Sequence, residues 1–163
     1  MMRRSRWGWI AAAAALTGLD LWSKGLFPYE GGYERVLIDG FLTIKPVYNP
    51  GGIWSLPVPP VLLLVTTSLA VPLLALWILL PDRGTVLENA AKSLVLAGAA
   101  GNCVDRVRFG KVRDFLDVHL AFADYTWPTF NVADAAIVVG VVLLLLASLT
   151  HAPHRGAEGK AAR

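Results

Sequence analysis

Phe130-Asn131-Val132-Ala133-Asp134-Ala135-Ala136-Ile137-Val138-Val139-Gly140-Val141-Val142-Leu143-Leu144-Leu145-Leu146 decides the fold of this chain. From Val132 it is apolar except for Asp134. Continued to Thr150, it reaches the roughly 20 residues that a helix needs to cross a bilayer. An ionisable group is costly in hydrocarbon, so an acid held at the head of such a helix is a functional candidate. Two structural readings stand beside that one. Asn131 reads as an N-terminal cap, and the positive helix end would by itself favour a charge at Asp134.

The rest of the chain is of the same kind. Of its 163 residues, 55% are hydrophobic, mean hydropathy is +0.53, and the apolar residues come in blocks. An ordinary soluble domain is excluded; a single membrane-embedded domain over 1–163 is expected. Spans are predicted at about 7–27, 61–80, 87–104 and 131–150. The first is interrupted by Asp20 and Lys24. The second has no charge, follows Pro57, Pro59 and Pro60, and holds Pro72, a residue that can kink a membrane helix. The third carries Lys92, but Ala97, Gly98, Ala99, Ala100 and Gly101 suit close helix packing. Most tryptophans sit near span ends, as interfacial anchors do.

The net charge of +3 comes largely from the ends. Arg3, Arg4 and Arg6 precede the first span, and Arg155, Lys160 and Arg163 follow the last. Short basic tails stay in the cytoplasm, and an even number of spans agrees. No nucleic-acid partner is needed to explain the charge. A cleaved signal peptide is the rival reading of the first span, but it would leave an odd number of spans and discard Asp20 and Lys24. Segments 28–60 and 106–129 then face outward. Asp39-Gly40 lies between β-formers in Val36–Ile44 and signals a hairpin. The expected fold is therefore an all-α bundle of four transmembrane helices, with a small extracytoplasmic β-hairpin or sheet between spans 1 and 2. Gly31, Gly32, Gly51 and Gly52 flank the hairpin, so it is expected to move when substrate enters. A lone Cys103 rules out an intrachain disulfide and reads as an apolar filler. His119, His151 and His154 lack ligand spacing, and no metal or cofactor is expected.

On this topology the polar groups gather at one end. Asp20 and Lys24 lie at the outer end of span 1, and Asn49 and Gly51 before span 2. Asn102, Asp105 and Arg106 end span 3. Asp114 follows in the second outer segment, while Asn131 and Asp134 open span 4. The inner halves of the spans look nearly empty of such groups. Bland readings stand beside these. Asp20 and Lys24, spaced i, i+4, can form an ion pair. Asp105 and Arg106 can form a charge pair at a helix end. Asn49-Pro50-Gly51-Gly52 can be only a turn. Asp117 and Asp124 read as solvated.

The strings Asp20-Leu21-Trp22-Ser23-Lys24, Asn49-Pro50-Gly51-Gly52-Ile53-Trp54-Ser55, Gly101-Asn102-Cys103-Val104-Asp105-Arg106, Val112-Arg113-Asp114-Phe115 and Phe130-Asn131-Val132-Ala133-Asp134 occur in that order. In them the chain resembles the lipoprotein signal peptidases (signal peptidase II), the aspartyl proteases of the bacterial inner membrane. The resemblance implies a catalytic dyad of Asp114 and Asp134. It implies supporting or substrate-binding roles for Asp20, Lys24, Asn49, Gly51, Gly98, Asn102, Asp105, Arg106, Asn131 and Ala133. The implied substrate is a prolipoprotein whose cysteine carries diacylglycerol, cut just before that cysteine among membrane lipid. Inhibition by globomycin-type compounds is implied too. Trp54 and Gly52 depart from the family's usual phenylalanine and alanine. A monomer would suffice. The rivals are a small proton-coupled transporter, which needs polar groups through the full depth, and a non-catalytic scaffold, which needs no pair of acids. A Gly-x-Gly-Asp intramembrane protease is excluded, since the motif is absent.

Overall fold

The computed structural model describes residues 6–51, 58–80 and 84–150. Apart from Arg6, the basic tails lie outside them, as do His151, His154, Pro57 and the departures at Gly52 and Trp54. Four helices form: α1 (Arg6–Lys24), α2 (Pro60–Leu79), α3 (Val86–Phe109) and α4 (Val132–Thr150). Four strands accompany them: β1 (Arg35–Ile38), β2 (Leu42–Asn49), β3 (Val112–Leu120) and β4 (Tyr125–Phe130).

The strands make one antiparallel sheet in the order β1-β2-β3-β4. This corrects the sequence reading, because half of the sheet comes from the connection between α3 and α4. The expected hairpin is present: Gly40 has φ 65°, and the Phe41 N–H donates to the Ile38 carbonyl at 3.0 Å. Its second strand gains a partner 63 to 76 residues away, with Asn49 opposite Val112 and Leu42 opposite Val118, and Val47 lies opposite Asp114. The register shifts between Ile44 and Val47. Pro46, which has no N–H to give a ladder, sits in that irregularity.

Helix α3 packs against α1, α2 and α4. It opens on a capping box, with Thr85 and Glu88 each satisfying the other's backbone N–H. It stops at Gly110, whose φ of 69° closes the helix in the left-handed region. Its buried positions are mostly small or polar: Ala91, Ala97, Gly98, Ala99, Gly101, Asn102 and Asp105. A Cβ on Gly98 would run into the Ala133 carbonyl oxygen of α4, and one on Gly140 would come within 2.8 Å of the Ala91 carbonyl oxygen. The two helices therefore meet backbone to backbone, as small residues permit. Thr17 of α1 donates to the Ala97 carbonyl at 3.1 Å.

By length and composition, α2 and α4 are apolar enough to cross a membrane. Pro60 and Pro59 stand at the first turn of α2, which runs unbroken through Pro72. The end expected to face the cytoplasm is less empty of polar groups than the sequence suggests. Lys92 is buried, with its ammonium 4.6 Å from the Trp77 ring centre. Arg6 donates to the Leu79 carbonyl at 3.0 Å.

Candidate active site

Asp134 lies in the first turn of α4. The Asn131 side chain accepts from the Asp134 N–H at 2.9 Å, and Asp134 Oδ2 accepts from the Asn131 N–H at 3.2 Å. Reciprocal capping thus holds the carboxylate, and the cap reading of Asn131 is correct. Asp134 Oδ1 accepts from Asn102 Nδ2 of α3 at 2.8 Å.

Asp114 arrives on β3 and is 1% exposed. Its Oδ2 accepts from Asn49 Nδ2 at 2.9 Å and its Oδ1 from Asn131 Nδ2 at 2.6 Å. Asn49 Oδ1 turns back to accept the Gly51 N–H at 2.9 Å, which aims the amide donor at Asp114. Asn131 Nδ2 also reaches Asn102 Oδ1 at 3.2 Å. Asn102 and Asn131 therefore join the two acids in one chain of hydrogen bonds. Burial, and next the charge of Asp134, push the Asp114 carboxyl up to about 6, against the pull of its two asparagine donors and Lys24.

Beneath the acids lies a second buried network. Lys24, wholly buried, stands 2.7 Å from Asp20 and 3.2 Å from Asp105, and donates to Asn102 Oδ1 at 3.0 Å. Asp20 Oδ1 accepts from the Ala133 N–H at 2.9 Å, which ties α1 to the start of α4. A Cβ on Gly101 would strike the Asp20 carboxylate. Arg113 gives Asp105 its second cation at 2.8 Å. Two acids and two bases thus offset one another, a condition for burying charge at all.

Above the acids opens a cavity of about 520 Å³. Asp114, Asp134, Asn49, Asn102 and Arg106 supply its polar wall. Leu63 of α2, Ile137 and Val138 of α4, and Val118, Leu120 and Trp127 of the sheet supply an apolar one. Such a site can hold an extended chain with apolar appendages against paired carboxylates.

The structure brings together Asp20, Lys24, Asn49, Gly51, Asn102, Asp105, Arg106, Asp114, Asn131, Ala133 and Asp134. Gly98 packs against Ala133 in the α3–α4 seam but does not line the cavity. The neighbour pair Asp105–Arg106 does not form, since Asp105 faces Lys24 and Arg113 while Arg106 faces the cavity. Asp117 is not simply solvated, because it accepts from Thr129 at 3.4 Å. Asp124 is exposed. Cys103 is partly buried, 3.7 Å from Ser68 Oγ. The sequence reading passed over Arg113 and Tyr29. Burial raises the Tyr29 phenol above its ordinary value. Among the described residues that hydroxyl has no hydrogen-bond partner.

The chain is similar to known proteins in sequence and in fold. The family model described as signal peptidase (SPase) II matches residues 12–150. The lipoprotein signal peptidase of Enterococcus faecalis is 34% identical over 137 residues, which are 82% of this chain and 83% of that protein. That of Cupriavidus necator is 36% identical over 146 residues, covering 86% and 82%. A lipoprotein signal peptidase of Syntrophotalea carbinolica is 57% identical over 84 residues, about half of each chain (52% and 51%). A bacterial membrane enzyme solved by the in meso method at 2.3 Å superposes with TM-score 0.81 and 26% identity, covering 96% of this chain and 94% of that one. Another, solved at 1.9 Å, gives 0.76 and 28%, covering 88% and 94%.

Proposed function

The chain belongs to the signal peptidase II family of aspartic peptidases, and from that premise we propose that Asp114 and Asp134 are the dyad with which it cuts. It is a bacterial membrane enzyme that removes signal peptides from prolipoproteins. One observation carries the assignment of residues. Both acids line one cavity, joined through Asn102 and Asn131.

Two close carboxylates in a low dielectric do not readily ionise together, so the pair holds one proton and titrates as a unit. The ionised member takes a proton from a water whose oxygen attacks the scissile carbonyl carbon. The protonated member donates to the carbonyl oxygen. The tetrahedral adduct then collapses: the C–N bond breaks, the leaving amine takes the proton that the dyad had taken from water, and a hydroxyl proton of the adduct returns to the dyad, which regains its one shared proton. Asn49, Asn102 and Asn131 fix the carboxylates in place, so little reorganisation is needed during the step.

The substrate is a prolipoprotein whose cysteine already bears diacylglycerol, cut on the N-terminal side of that cysteine. The polar wall takes the peptide. The acyl chains lie on the apolar wall, between α2, α4 and the sheet. Globomycin-type inhibitors take the same cavity. Both termini lie in the cytoplasm, the acids sit at the outer leaflet boundary of the inner membrane, and one chain suffices. Support comes from the placement of every buried carboxylate among the described residues at that end, with Asn49 and the sheet.

The test is mass spectrometry of a diacylglyceryl-modified prolipoprotein incubated with purified enzyme, Asp114→Asn and Asp134→Asn. One cut before the lipidated cysteine, lost in both folded variants, is expected. A cut elsewhere would overturn the substrate reading, and full cleavage by either variant would remove that residue from the dyad.

A further inference from the structure

We propose that Arg113 is a positioning residue for this reaction, its guanidinium clamped on buried Asp105 so that β3 presents Asp114 correctly and the charge around Lys24 stays balanced. The proposal rests on the dyad reading of Asp114 and Asp134.

Arg113 grips Asp105 three times. Its backbone N–H donates to Oδ2 at 3.0 Å. Nε and a terminal nitrogen donate to Oδ1 at 3.1 and 2.8 Å. Asp105 is fully buried near the end of α3, and Arg113 is only 11% exposed. The grip therefore staples the first residues of β3 to the helix end across the turn at Gly110. The next residue is Asp114. Its direction depends on how β3 leaves that staple, and β2 meets it only through the ladder at Val47 and the Asn49 side chain. The guanidinium is also held on its flanks, 4.8 Å from the Phe109 ring centre and 6.0 Å from that of Tyr29. Lysine cannot reproduce a planar fork held on both edges and faces.

The second part of the argument is charge. Asp20 and Asp105 are offset by Lys24 and Arg113. Asp134 of α4, Lys24 of α1, Arg106 of α3 and Tyr29 before the sheet act on Asp114 by their charge or burial, while Asp20 and Asp105 stand behind Lys24, and Arg113, one residue before Asp114, faces Asp105. Asn49 of β2 is neutral. Without Arg113 a buried negative charge is left over beside the dyad, and it favours the protonated forms.

The test is the pH–rate profile of prolipoprotein cleavage in detergent for wild type, Arg113→Met, Arg113→Lys and Asp114→Asn. In Arg113→Met, kcat is expected to fall about 10- to 100-fold, the order that misplacing a reacting group costs. KM should hardly change, because Arg113 does not line the cavity. Both limbs of the profile should move to higher pH. Arg113→Lys should return the limbs to their wild-type positions but recover only part of kcat. Wild-type kcat and limbs in Arg113→Met would overturn the proposal. So would a lower kcat with unmoved limbs and no gain in Arg113→Lys, the pattern of a structural role alone. If Arg113→Met does not fold, Arg113→Lys decides: reduced kcat with unmoved limbs is expected, and wild-type kcat contradicts. Turnover by Asp114→Asn would instead sink the dyad reading, whatever the Arg113 variants do.

Discussion

Helices α2 and α3 lie side by side in the bundle and have opposite chemistry. Among its residues α2 buries only Ile78, while its leucines and valines, such as Leu69 and Leu73, stay exposed to what would be lipid. Helix α3 buries Lys92, Ser93, Asn102 and Asp105 beside alanines and glycines. The difference is one of solvent. A helix facing hydrocarbon must be apolar all round, because lipid satisfies no polar group. A helix walled in by three others is freed from that rule and can carry the groups that do chemistry. Apolarity thus marks the boundary of this protein, and polarity inside a span marks its centre.

The sharpest way to break that contrast is to remove the charge at the centre. Lys24→Met would leave Asp20 and Asp105 with Arg113 as their one close cation. Breaking a buried pair costs about 3–5 kcal/mol, so a large drop in the melting temperature in detergent is expected, with little cleavage left. A melting temperature equal to wild type would mean the network is not truly buried. Next in size is the α3–α4 seam. Gly98→Ala places a methyl against the Ala133 carbonyl, and overpacking of this kind costs about 1–3 kcal/mol. The same assay reads it, and an unchanged midpoint would show that the helices can part freely.

A smaller effect separates the two regions by pH. The Asp114 carboxyl is raised from 3.8 to about 6, so the folded state holds this proton more tightly than the unfolded one. Below about pH 4 both states are protonated, and the group imposes no charge penalty. As pH rises from there to about 6, the unfolded chain ionises first and stability declines; above that the loss is complete. Melting profiles across this window should show that decline in wild type and lose it in Asp114→Asn. An equal slope in both would contradict the burial of that charge. Smallest of all is a change on the lipid face. Leu73→Val in α2 should alter stability by no more than about 0.5 kcal/mol and leave turnover alone. A loss like that of Gly98→Ala would mean α2 faces protein there.

The same contrast explains what could be read in the sequence. Spans 2 and 4 and the cap at Asn131 were legible because each is a local pattern: a run of apolar residues, or an amide three places before an acid. The Asp39-Gly40 hairpin was legible for the same reason. The second half of the sheet was not. Val112–Leu120 mixes buried and half-buried residues in no clean alternation, and its register slips between Leu116 and Val118. It is a strand because it pairs with the distant β2 on one edge and with β4 on the other. Arg113 stayed hidden because its contact with Asp105 depends on how the chain turns at Gly110. Lys92 looked like an argument against a span, yet it lies on the helix that packs against the other three. The gathering of Asp20, Asn102, Asp105, Asp114 and Asp134 at one end was legible from the order of the spans, whereas the pairing of Asp114 with Asp134 came only from the family resemblance.

The most direct test of the central claim, that Asp114 and Asp134 act as one unit, is kcat for Asp114→Asn, Asp134→Asn and the double variant on one prolipoprotein. Residues that work together lose nearly everything when either is removed, so the double variant should be no slower than the singles. Singles that each keep partial activity, with losses that multiply in the double, would contradict it and make the two carboxylates independent groups that happen to share a cavity.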